Sequence, residues 1–189
     1  MSDNRNKLIV MGIDPGTSES AYTVFMSDGK EHFILDKGKI PNEELLKGLR
    51  NWSLIRSGVA SAQLSFGKVP VYIEGMQAMG MPVGKEVFDT CYLIGRITEI
   101  LESGGVPVKR IYRSEVKLHH CHTPRAKDAN IRAALIERFG AVGTKNNQGI
   151  LYGVSADVWS STAIAVMGHD REIGIAEIES KRVVENPTS

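Results

Sequence analysis

Two apolar runs in this chain end on a carboxylate. LIVMGID, residues 8–14, closes on Asp14 before Pro15 and Gly16, and VYIEG, residues 71–75, reaches Glu74. Two ionised acids held close together and partly desolvated repel, and one of them takes up a proton unless a cation lies between them. Carboxylate oxygens select hard divalent ions, Mg²⁺ first, with Mn²⁺ able to substitute. Asp14 and Glu74 are therefore candidate metal ligands and catalytic residues. Either acid alone reads equally well as a local device, Asp14 as an Asx-type cap on the following turn and Glu74 as an exposed sheet-edge charge. Their joint placement points to the metal. A third acid stands in VSADVWSSTAIAV, residues 154–166, where helical spacing sets Asp157, Ser160, Ser161 and Ile164 on one face. An Asp in a first helical turn also complements the helix dipole, so Asp157 is ambiguous taken singly.

The elements that must bring these residues together follow from hydrophobic periodicity. Three β-rich runs, 7–13, 21–26 and 32–38, are separated by turn residues and read as an antiparallel meander. A helix with Leu45, Leu46, Leu49, Trp52 and Ile55 on one face follows a candidate cap at Asn42. A strand over 69–75, a helix over 84–103 and a strand over 106–112 come next, then helices near 114–119, 127–139 and 156–167. The order β-β-β-α-β-α-β-α is that of an α/β, ribonuclease H-like fold, a mixed five-stranded sheet with strand order 3-2-1-4-5 and helices on its faces. That order places strand 4 beside strand 1, about 4.8 Å away. With 189 residues the chain has room for one core; we expect a single domain over 1–168 and a weakly ordered tail or a final short element over 169–189.

Formal net charge is only +1, but Lys109 to Lys145 holds nine Lys or Arg against Glu115, Asp128 and Glu137. Such a cluster suits a phosphate backbone, although a solvated helix face gives the same count. No run approaches a membrane span and the N-terminus lacks an apolar signal core, so a cytoplasmic protein with no membrane partner is expected. Cys91 and Cys121 are too few for a disulfide framework. HHCH at 119–122 invites zinc, yet adjacent residues cannot all face one ion and no second ligand pair follows at finger spacing.

GIDPGT at the end of strand 1, YIEG at the end of strand 4 and ADVWSSTAIAV near the chain end together resemble the RuvC-type Holliday-junction resolvases, notably the variants carried by bacteriophages. The resemblance spans about 7–168. It implies a ribonuclease H-like fold, a homodimer, and Mg²⁺-dependent symmetric cleavage of four-way DNA junctions to 5′-phosphate and 3′-hydroxyl ends. By position Asp14, Glu74 and Asp157 match catalytic acids of that family. Many members carry another acid three residues beyond the third; Ser160 holds that place here, which leaves the second metal open to ligation by Ser160 through water, by Asp128 from its helix or by the substrate phosphate. In such a site two Mg²⁺ ions stand about 3.5–4 Å apart. Lys117 and Lys127 fall near the family's lysines, and Arg113, Arg125 and Arg132 are further candidate DNA contacts. Met76, Met79 and Met81 lie in a Gly- and Met-rich loop after Glu74 that could wedge between unstacked bases or simply be mobile. The helix over 84–103, with Val87, Cys91, Ile94, Ile97 and Thr98, is the expected dimer contact.

Two rival readings remain. GIDPGTSES is also similar to the phosphate-binding loop of actin-like and sugar-kinase ATPases, although those need two such domains and a second glycine-rich loop. A non-catalytic junction-binding module would keep the basic face without needing the acids.

Overall fold

The computed structural model describes residues 7–51, 69–77, 80 and 82–185, with side chains described as far as 174. Three strands open it: β1 (Leu8–Asp14), β2 (Glu19–Ser27) and β3 (His32–Pro41). They are followed by α1 (Asn42–Arg50), β4 (Val71–Glu74), α2 (Lys85–Ser103) and β5 (Val108–Ile111). Then come α3 (Arg113–Cys121), α4 (Asp128–Phe139), a small hairpin of β6 (Gly143–Thr144) and β7 (Asn147–Gln148), and α5 (Val158–Glu185). The five-stranded sheet has the order β3-β2-β1-β4-β5, the order expected from the sequence. β1 pairs antiparallel with β2 and parallel with β4.

Alternation along the strands divides the core in two. Ile9, Met11 and Ile13 of β1, with Val71 and Ile73 of β4, pack on one face against Leu45, Leu46 and Leu49 of α1 and Leu93, Ile94, Ile97 and Leu101 of α2. Val10 and Tyr72 turn to the other face, which α3, α4 and α5 cover. Helix α5 lies directly on β1 there, because a Cβ at Gly12 would run into the backbone of Ser161 and Ala165. Gly168 repeats the device one strand over, resting on the ring of Tyr72.

Three expectations need correction. Ile94 and Ile97 are 5% and 0% exposed and belong to this chain's own core rather than to a dimer contact; Cys91, like Phe88 and Tyr92, is among the exposed residues of α2, and Val87 and Thr98 are half-buried. The expected tail after 168 is instead helix through Glu185. At Gly168 the missing side chain lets α5 close on the ring of Tyr72. His169 is buried, and Glu172 accepts from the Tyr72 hydroxyl and pairs with Lys109. Asn42 is not a cap: it is the first residue of α1, with Pro41 preceding it. Its side chain accepts from Ser20 Oγ at 2.7 Å and donates to the Gly16 carbonyl at 3.0 Å, pinning the loop that follows Asp14. Trp52, Ile55, Met79 and Met81 lie outside the described residues.

Candidate active site

The last registered pair of β1 and β4 is Ile13 with Ile73, so Asp14 and Glu74 are the next residues of two adjacent parallel strands. Even-numbered positions on both strands face α5, which directs both carboxyls to that side of the sheet. They line one cleft of ≈ 670 Å³ together with Arg113, Asp128, Arg132, Asp157, Trp159 and Ser160. Burial pushes the Asp14 carboxyl up to about 7, and the neighbouring Glu74 charge adds to the shift; Arg113 and a hydrogen bond from Ser160 work against it. Glu74 is also raised, by burial first, with Arg113 opposing. Both acids are thus held where their charge is poorly solvated.

Cations answer part of that charge. Arg113, the first residue of α3, donates from Nη1 to Glu74 Oε2 at 3.3 Å and to Ser160 Oγ at 2.9 Å, while Nη2 meets Asp128 Oδ1 at 2.8 Å. Lys117 Nζ stands 3.9 Å from the same Asp128 oxygen. Asp157 immediately precedes α5, and its carboxylate is paired with Lys39 Nζ at 2.9 Å. Lys39 reaches it from β3 because Asp14, Ala21 and Lys39 form one cross-strand row, with the small Ala21 between them.

Among the described residues no three His, Cys, Asp or Glu side chains stand close enough together to hold a metal ion. Asp14, Glu74 and Asp157 all line the one cleft, where the Asp157 charge adds to the upward shift of Asp14 while its own carboxylate is paired with Lys39. The donor set still fits a divalent ion at one end. Asp14 and Glu74 offer two hard oxygen donors, and a cation between them would offset the burial that raises both.

The other predicted residues divide by position. Arg132 lines the cleft with its guanidinium 4.9 Å over the Trp159 ring. Arg125 and Lys127 are exposed near the start of α4, outside the cleft lining. Met76 is 41% exposed just beyond Glu74. The histidines at 119–122 are engaged separately: His119 Nε2 meets Asp170 at 2.8 Å, His120 Nε2 meets the Ala163 carbonyl at 2.9 Å, and His122 caps α3 in the left-handed region. Lys39 was absent from the sequence-based site, and Arg113 entered it as a DNA contact only; nothing local to either residue signals its acidic partners.

No family model and no curated protein matches the chain. Solved structures do. The Thermus thermophilus RuvC structure aligns with a TM-score of 0.63 and 17% identity, covering 88% of this chain and 97% of that one. T. thermophilus RuvC in complex with a Holliday junction substrate aligns at 0.58 and 15%, covering 88% and 96%. A fowlpox virus resolvase in complex with Holliday junction DNA gives 0.46 and 15%, covering 87% and 98%. At such identities the likeness to the two RuvC structures establishes the fold alone, the ribonuclease H-like one.

Proposed function

We propose that the chain is a structure-selective endodeoxyribonuclease that resolves four-way DNA junctions by divalent-metal-dependent hydrolysis. The observation that carries this reading is the pair of half-buried acids, Asp14 and Glu74, at the ends of adjacent strands in a cleft rimmed by Arg113 and Arg132. The shared fold with a protein solved on a Holliday junction supports the choice of substrate. Asp14 and Glu74 would hold Mg²⁺ or Mn²⁺, with Asp157 able to join once its Lys39 contact opens. When bound, the ion supplies positive charge that acidifies the attacking water and steadies the charge gathering on the phosphate.

The chain's own groups account for the rest. Arg113 and Arg132 offer donors to phosphate oxygens, Ser160 fixes the Arg113 fork, and Lys117, Arg125 and Lys127 extend the cationic surface along the duplex arms. Water oxygen bonds to phosphorus as the P–O3′ bond breaks. The water's proton passes to solvent, and the departing 3′-oxygen takes one up to become a hydroxyl opposite a 5′-phosphate. A homodimer acting in the cytoplasm would present two such clefts to the two symmetric strands of a junction.

End-labelled four-way, three-way and linear DNA, incubated with the chain with and without Mg²⁺, test the reading. Paired symmetric nicks confined to the four-way substrate and to the Mg²⁺ arm are expected, with none from Asp14→Asn. Intact junctions after prolonged incubation of the wild-type chain would overturn it. Binding without cleavage would leave the non-catalytic junction-binding module instead.

A further inference from the structure

Charge balance in the cleft carries a second conclusion, which rests on the nuclease reading and concerns how many metal ions the site takes. Four acids line it, and two of them already have cations: Asp157 has Lys39, and Asp128 has Arg113 with Lys117 behind it. Asp14 and Glu74 remain, with the longer 3.3 Å contact from Arg113 to Glu74 the one ion pair they show among the described residues. One divalent ion matches that pair. A second would need further anionic ligands, and the position on α5 that could supply one holds Ser160, a neutral hydroxyl.

Ser160 instead accepts from Arg113 and hydrogen-bonds the Asp14 carboxylate. A guanidinium is charged at every working pH and has five donors in a rigid fork. With its side chain 30% exposed, Arg113 is anchored by Ser160 and Asp128 yet open to the cleft. We propose that the cleft binds a single divalent ion, on Asp14 and Glu74, and that the Arg113 guanidinium is the built-in second cation. Ser160 and Asp128 aim it at an oxygen of the scissile phosphodiester.

Mn²⁺ titration of the full chain at pH 8, followed by electron paramagnetic resonance, tests the count without relying on cleavage. One Mn²⁺ per chain is expected, lost in Asp14→Asn. The double variant Arg113→Gln, Ser160→Asp should take two. Two ions on the wild-type chain, or none, would overturn the proposal. Cleavage of the four-way junction then tests the guanidinium: Arg113→Ala should cut on the order of 10²–10³-fold more slowly, the usual cost of a lost charge-stabilising donor. Added guanidinium ion should restore part of that rate, which repair of folding alone would not do. A rate unchanged by Arg113→Ala, or a loss that guanidinium leaves untouched, would overturn the second-cation role. If the wild-type chain cuts nothing, the nuclease reading itself fails, whatever the Mn²⁺ count.

Discussion

Asp14 is costly to ionise in the folded chain, and that cost has a sign that can be measured. Its folded pKa is pushed up to about 7 from an ordinary 3.8. The folded state therefore binds a proton more tightly than the unfolded one. Stability from this residue is fully present below 3.8 and is lost as pH rises towards 7, staying low above it. A shift of that size corresponds to roughly 4 kcal/mol before local relaxation. Asp14→Asn removes the charge but keeps the shape, so it should raise the unfolding free energy by about 1–3 kcal/mol at pH 8 and change it little at pH 4. Denaturant melts at the two pH values in a metal-free buffer check this; equal effects at both would contradict the buried-charge account. Mg²⁺ should stabilise the wild-type chain at pH 8 and leave the Asn variant unmoved.

Register decides which residues of a strand reach the cleft, and β3 shows how. Pairing between β2 and β3 slips by one between Val24 and Phe25, so that Ile34 faces Phe25 and Asp36 faces Val24, with Leu35 as the extra residue. Leu35 packs with the α1–α2 core, and Asp36 on the same face accepts from the Tyr22 hydroxyl. Beyond the bulge the alternation is reversed, which brings Lys39 onto the face of Asp14 and within 2.9 Å of Asp157. Without that extra residue every later side chain of β3 would change faces. The pairing with Asp157 is exposed and therefore weak. Lys39→Gln should accordingly strengthen Mn²⁺ binding only a few-fold by releasing Asp157, a change calorimetric titration can read; weaker binding would show that Lys39 does not compete with the ion.

These elements also show what the sequence could disclose. Apolar runs ending on Asp14 and Glu74 identify their own strands, and helical spacing identifies α2, α4 and the start of α5. The bulge at Leu35 leaves no mark in the alternation, so Lys39 stayed hidden. The contacts that Gly168 and Glu172 of α5 make with Tyr72 join it to a distant strand, and nothing in the local sequence signals them.

At the scale of the molecule, cations outnumber acids nine to three between Lys109 and Lys145, while the whole chain carries a net charge of only +1. Arg125 and Lys127 are exposed within that segment, beyond the cleft. Affinity for a four-way junction should fall steeply with salt as DNA counterions are released. Replacing either residue by Ala should flatten the plot of log affinity against log salt by about one unit while sparing metal binding. Fluorescence anisotropy across a salt series measures both slopes. Unchanged slopes would place the DNA on another surface.

The seat of α5 on Gly12 has a consequence at the level of the gene. Every amino-acid replacement that one base change can make in a glycine codon adds at least a β-carbon, and here that carbon meets helix backbone rather than a side chain that could swing away. A random library sorted for soluble expression should recover silent changes at this codon and almost no missense ones.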